Sequence, residues 1–291
     1  MLECGTTNPE PVQTVRKTAT RFDPRRIYTV LVLAPLLYAA IRFFPAPAIT
    51  FIIALAGGLS LYELYRMCLP QPYHPTTIGI GLFGCTALIV SPHQSSIALP
   101  SLLAALLAIL SVPLFVHMPL QERLKEGAIA LTGMLYIGLT LSFLTLTRLL
   151  PDGEWLILFV LLVTWAGDTG AYYVGTLCGQ HPLAPRVSPK KTVEGLVGGL
   201  IAATVVAYLA RWWFLPALSG LDCLILAMVI TATGLWGDLA ESAIKRSVGA
   251  KDSGGVLPGH GGMLDRLDSL LFSAPAFYYY VTTISQFGSH A

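Results

Sequence analysis

Long apolar runs constrain this chain more than any other feature. Residues 27–40 are apolar but for Thr29, and 221–230 are apolar but for Asp222 near the start. A barrel strand facing lipid on one side alternates apolar and polar residues with period two, so these runs point to helices. Charged residues make up only 12% of the 291 residues, and mean hydropathy is +0.67. A soluble domain carries about a quarter charged residues. Disordered chain, soluble enzyme and nucleic-acid-binding protein are therefore excluded as classes. The net charge of +2 is also too small for a nucleic-acid footprint. The expectation is an all-α polytopic membrane protein.

Nine spans can be read along the chain: residues 27–44, 48–69, 76–90, 97–117, 127–150, 155–179, 192–215, 221–244 and 264–285. A basic stretch with Arg16, Lys17, Arg21, Arg25 and Arg26 precedes the first. Because many spans follow, 27–44 reads as a retained helix rather than a cleaved signal. The positive-inside rule then sets the orientation. With the N-terminus cytoplasmic, only Arg42, Arg148 and Arg211 of the 18 Lys and Arg fall at outward ends. Nine spans and an N-in, C-out topology thus support each other. The organisation read from this is a polar, basic cytoplasmic segment (1–26), a first group of five helices (27–150) and a C-terminal group of four with the longest cytoplasmic loops (151–291). The short loops and absence of an organelle-targeting pattern suggest a bacterial inner (plasma) membrane. Short loops and small residues in the spans are compatible with a homodimer. Five scattered cysteines with no CxxC pair indicate neither a zinc ribbon nor a disulfide framework.

The C-terminal group is chemically different from the rest. Asp168 and Asp238 sit inside apolar helices, and Asp265 and Asp268 open the last one. Carboxylates there cost several kcal/mol unless paired, metal-bound or facing a wet cavity. At about 100° per residue, Asp238, Glu241, Ser242 and Lys245 share one arc of their helix. Asp265 and Asp268 stand at i and i+3 and share a face. The loop between the two helices folds these faces toward each other, so three or four carboxylates can gather around one or two divalent cations. Oxygen ligands of this type suit Mg²⁺. The alternative is a set of interhelical salt bridges pairing Asp265 or Asp268 with Arg266, Lys245 or Arg246.

Two loops look suited to phosphate. Ser188-Pro-Lys-Lys-Thr runs into the seventh span, with Ser188 expected as helix N-cap and Pro189 at the first helical position. Lys190, Lys191 and Thr192 then add two cations and a hydroxyl to a helix N-terminus. A positive-inside anchor is the alternative. The second loop, residues 251–263, is glycine-rich and carries His260, read either as a base or phosphate donor or as an ordinary loop histidine. Glu63 and Arg66, at i and i+3, are expected to pair at the membrane interface, with a lipid-headgroup role as the alternative.

Read as one stretch, residues 242–268 carry S-x-x-K-R, then K-D-x-G, then P-x-H-G-G-x-x-D-R-x-D. This resembles the signature of CDP-diacylglycerol synthases, also called phosphatidate cytidylyltransferases. Trp165-Ala-Gly-Asp-Thr-Gly-Ala-Tyr and Ser188-Pro-Lys-Lys-Thr-Val-Glu-Gly look like the same family. The resemblance covers about residues 155–285 and implies transfer of CMP from CTP to phosphatidate, giving CDP-diacylglycerol and pyrophosphate. It implies Mg²⁺ dependence, with a potassium ion beside the magnesium. Asp238 and Asp265 become the principal metal ligands, Asp268 completes the site and Asp168 joins it. Lys245, Arg246 and Lys251 hold phosphates, and Lys190, Lys191 and Thr192 take the triphosphate or departing pyrophosphate. Ser242, Asp252, His260 and Arg266 are the remaining polar signature positions assigned to substrate. The implied active site lies in the cytoplasmic half of the C-terminal helices. CTP, phosphatidate and membrane lipid are the implied partners, and nucleic acid is not. The same transfer to an isoprenoid phosphate or ether lipid is the rival reading. A secondary transporter is disfavoured because the polar features crowd into the last 130 or so residues.

Overall fold

The computed structural model describes residues 35–70, 75–115, 120–254 and 261–284. The first helix, α1, is described over 35–43. It is followed by α2 (Ala46–Cys68), α3 (Pro75–Val90) and α4 (Ala98–Phe115). Next, α5 (Leu120–Met134) runs through one π turn, Leu135–Leu139, into α6 (Thr140–Leu149). The long α7 (Gly153–Cys178) leads to β1 (Pro182–Ala184) and β2 (Ser188–Thr192). The chain ends with α8 (Val193–Trp213), α9 (Gly220–Ser247) and α10 (Leu264–Tyr279), which closes in a π turn over Tyr280–Ile284.

Among the described residues, six helices are long and apolar enough to cross a membrane: α2, α3 with its trailing turn, the α5–α6 unit, α7, α8 and α9. The fourth expected span keeps only a short apolar stretch, Leu99–Ser111. Helix α10 has 16 residues, with Pro275 inside it. The basic segment 1–26 and the start of the first span lie outside the described residues. Large apolar side chains cover the outer surface, including Phe51, Phe83, Leu177 and Trp212. Water would make that surface costly, whereas lipid makes it neutral.

Helix α7 is central. Leu156, Phe159, Val160 and Val163 are buried along it, and Phe159 stacks on Phe277 of α10 at 5.7 Å between ring centres. Toward its C-terminal end α7 meets α8 through small residues. A Cβ added to Gly170 would come within 2.6 Å of the Ala202 Cβ, so the two backbones approach as closely as side chains permit. The N-terminal helices are tied in by Tyr65, whose hydroxyl donates to the Ala130 carbonyl at 2.6 Å. At the opposite end from the β-hairpin, Glu154 binds both Arg42 and Arg148, each at 3.3 Å. Arg42 also lies 4.8 Å from the Trp155 ring centre.

The described residues are mostly helical, as expected of an all-α membrane protein, and β1 and β2 add one short antiparallel hairpin pairing Pro182 with Thr192 and Ala184 with Ser188. One expectation is corrected: Ser188 does not cap the following helix. Thr192 does, its hydroxyl accepting from the Gly195 N–H at 3.1 Å. Ser188-Pro-Lys-Lys stays extended because it has a partner strand, and Pro189 is tolerated in a two-stranded ribbon where both strands are edges. Glu194, in the first turn of α8, reaches back to accept from the N–H groups of Gln180 (3.1 Å) and His181 (3.3 Å). The helix start is therefore spent on holding the hairpin. The Val193 N–H likewise donates to the His181 carbonyl at 2.9 Å. The free backbone N–H groups expected at this terminus are largely used.

Candidate active site

A cavity of about 400 Å³ opens where α7, the hairpin, α9 and α10 meet. This lies within the usual range for small-ligand sites. Asp168, Lys190, Lys191, Asp238, Asp265 and Asp268 line its polar part. Val163, Leu196, Ile230 and Leu235 make an apolar floor. The carboxylates predicted from the sequence thus converge, although they come from three helices.

The tightest acidic group is Asp238, Glu241 and Asp268, whose oxygens can all lie within 4.8 Å of one another. Asp238 and Glu241 are i and i+3 on α9. Asp268 reaches them because α10 packs hard against α9 at Gly237, where any side chain would collide with the Asp268 carbonyl. Glu241 is fully buried, and its Oε1 has no hydrogen-bond partner among the described residues. The other two carboxylates are oriented. The Ser242 hydroxyl donates to Asp238 at 3.2 Å, and the Ser269 N–H donates to Asp268 at 2.6 Å. Asp168 joins from α7, taking the Ser269 hydroxyl at 3.4 Å. Three acids with an orphaned oxygen form a hard donor set that fits Mg²⁺.

Two lysines offset this charge. Lys191 lies 2.6 Å from Asp238. Lys245 bridges Glu241 at 2.8 Å and Asp265 at 2.7 Å. Asp265 is therefore placed differently from the reading that grouped it with Asp238 and Asp268. It lines the cavity, but its oxygens are taken by Lys245 and by the N–H groups of Ser253 (3.1 Å) and Gly262 (2.9 Å). Lys245 and Asp265 make the salt bridge of the alternative reading, and Glu241 stands with Asp238 and Asp268 in the closest trio. Glu241 was on the polar arc read from the sequence. Its selection needed the position of α10.

The remaining positions divide. Lys190 is exposed at the cavity rim, and Thr192 combines its capping role with a place in the wall. Arg246 is exposed, donates to the Ala250 carbonyl at 3.4 Å and does not line the cavity. Lys251, Asp252 and Arg266 are exposed and do not line the cavity. His260 lies outside the described residues. The expected Glu63–Arg66 pair does not form. Arg66 sits over the Tyr62 ring at 5.9 Å, and Glu63 turns inward, only 3% exposed, to accept from the Leu264 N–H at 2.9 Å. The bare i, i+3 spacing misled because α10 offers a buried donor that outcompetes a solvated guanidinium.

Known proteins similar in sequence place the chain in a family. A family model described as "Cytidylyltransferase family" matches residues 24–284. The chain belongs to the cytidylyltransferase family. Among similar proteins is the phosphatidate cytidylyltransferase of Staphylococcus haemolyticus, 36% identical over 238 residues, covering 77% of this chain and 90% of that one. The Staphylococcus saprophyticus protein of the same name is 44% identical over 150 residues, 52% of this chain and 57% of its own. An uncharacterised Escherichia coli protein, YnbB, is 45% identical over 135 residues, 46% of this chain and 45% of its own. As a cytidylyltransferase this chain is a nucleotidyltransferase.

Proposed function

We propose that this cytidylyltransferase transfers CMP from CTP to phosphatidate at the cavity between α7, α9 and α10. The observation that carries the mechanism is the convergence of Asp238, Glu241 and Asp268 below Lys190 and Lys191. A phosphatidate phosphate oxygen forms the new bond to the CTP α-phosphorus. The bond from that phosphorus to the bridging oxygen breaks, and pyrophosphate leaves with the electron pair. A phosphomonoester is largely ionised near neutral pH, so no strong general base is required. The difficulty is bringing two polyanions together. Lys190 at the rim and Lys191 in the wall counter that repulsion. Ser242 and Ser269 hold the acids in place, and Lys245 keeps Glu241 and Asp265 from repelling each other. Asp238, Glu241 and Asp268 would hold Mg²⁺, with Asp168 next to them; bound there, the ion supplies charge neutralisation and Lewis acidity at the phosphates.

Labelled CTP incubated with purified protein and a panel of lipid phosphates tests the reading. The expected result is CDP-lipid formation with phosphatidate at least about tenfold above isoprenoid phosphate or ether lipid. Preference for either of the latter would replace the acceptor and keep the chemistry.

The same reading includes nine spans, N-in and C-out, with the cavity facing the cytoplasm of a bacterial inner membrane. Its support is the segregation of charge: Lys190, Lys191, Lys245 and Asp265 gather at one end, and Arg42, Arg148 and Glu154 at the other. With the native cysteines replaced, Pro189→Cys is expected to react with an impermeant thiol reagent only from the cytoplasmic side. Pro151→Cys, exposed beside the arginine cluster, is expected to react only from outside. Labelling of both from one side sinks this topology.

A further inference from the structure

Glu63 lies on α2, in the half of the chain that carries none of the signature residues. It is 3% exposed, and of its two oxygens Oε2 meets donors while Oε1 has no hydrogen-bond partner among the described residues. Its Oε2 accepts from the Leu264 N–H at 2.9 Å and from the Ser253 hydroxyl at 3.3 Å. These two residues flank the glycine-rich loop at its two ends. The approach is tight: a Cβ on Gly254 would come within 2.7 Å of Glu63 Oε1, and one on Gly262 within 2.5 Å of Oε2. Glycine at both positions lets the loop backbone close around the carboxylate.

Of the two residues Glu63 holds, Ser253 also holds Asp265 and Leu264 precedes it in the chain. Ser253 gives its hydroxyl to Glu63 and its N–H to Asp265, at 3.1 Å. Gly262, beside the Glu63 oxygen, donates to Asp265 at 2.9 Å. Leu264 is the residue before Asp265. Asp265 then binds Lys245, and Lys245 binds Glu241 of the acidic trio. A single carboxylate on α2 therefore fastens both ends of the loop and, through them, the Asp265–Lys245–Glu241 chain.

We propose that Glu63 is a positioning residue for this active site, clamping the loop between α9 and α10 onto α2 so that Asp265 and Lys245 are held in register with the acidic trio. It touches no reacting atom and acts through Ser253 and Leu264. That the trio is the reaction centre rests on the function proposed above; the clamp itself does not.

The test uses the full chain in detergent with Glu63→Ala, Glu63→Gln, Ser253→Ala and the Glu63→Ala/Ser253→Ala double variant. Two quantities are followed: steady-state kinetics with CTP and phosphatidate, and amide hydrogen exchange at Ser253, Gly262 and Leu264. Glu63→Ala is expected to lower kcat about a hundredfold, as small misplacements of catalytic groups do. The KM for CTP should stay within about threefold, because Lys190 and Lys191 are untouched. Exchange at the three amides should quicken at least about tenfold, while the hairpin amides keep their rates. Glu63→Gln retains one acceptor oxygen and should lie between. Adding Ser253→Ala to Glu63→Ala should cost less than Ser253→Ala alone, as for two residues acting through one contact. Unchanged exchange in Glu63→Ala overturns the clamp, whatever happens to activity. So does faster exchange of loop and hairpin together, which marks general loosening. If the parent protein fails to convert CTP and phosphatidate, the proposed reaction falls, and the exchange comparison still decides the clamp.

Discussion

Asp238→Asn is expected to lower turnover at least about a hundredfold, because an ion-holding acid contributes several kcal/mol to phosphate chemistry. The substitution keeps the shape of the side chain and the bond from Ser242. It removes one charge from the Asp238, Glu241 and Asp268 trio and leaves Lys191, 2.6 Å away, without its carboxylate. Glu241→Gln is expected to fall by a similar factor, because its orphaned Oε1 is the free donor in the buried part of the group. Asp265→Asn is expected to lose less, since its oxygens serve Lys245 and two backbone N–H groups. Steady-state rates at saturating substrates, together with the rise in apparent Tm on adding Mg²⁺, separate these cases. A fall for Asp265→Asn that exceeds the one for Glu241→Gln would return Asp265 to the centre of the site. Asp152→Asn is the control. It sits at the far end of α7 with a φ of 54°, a conformation asparagine tolerates well, and should be mild.

Lys245→Ala is expected to damage both stability and rate. The Lys245 side chain is 13% exposed and bridges Glu241, at 0%, and Asp265, at 14%. Removing the cation leaves two carboxylates facing each other in a poorly solvated place. Breaking a buried pair in this way costs on the order of 3 kcal/mol. The apparent Tm in detergent should drop by several degrees, and activity should fall along with it because Glu241 loses its orientation. Lys245→Arg keeps the charge but swaps a compact ammonium for a planar fork, so it should recover stability better than activity. A normal Tm for Lys245→Ala would mean that Glu241 and Asp265 find other partners.

Much of the site was legible in the linear chain because it is written in local rules. Helical spacing placed Asp238, Glu241, Ser242 and Lys245 on one arc, and the structure keeps that arc on α9. The run from Ser242 to Asp268 marked α9, its loop and α10 as one unit, and Asp265 and Asp268 from it line the cavity. Other features depended on partners distant in sequence. Ser188-Pro-Lys-Lys reads as a helix entrance by its residue types, yet it pairs with Pro182–Ala184, so Thr192 becomes the cap.

What the sequence alone determined is a helical chain dressed for lipid, with acids placed inside the apolar helices of its C-terminal group. Apolar runs have no other stable arrangement in a bilayer, because backbone groups must be satisfied within each segment. What only the tertiary structure decided is which acids meet. Asp265 and Asp268 share a face of α10, but Gly237 brings Asp268 to Glu241, while the loop amides and Lys245 draw Asp265 aside. Glu63 is the clearest case, 190 residues from Ser253 and 201 from Leu264 in sequence. Spacing within α2 proposes Arg66 as its partner. The packing of α2 against α10 and the loop before it supplies a buried N–H and a hydroxyl instead, and a carboxylate removed from water goes to the donors it meets inside.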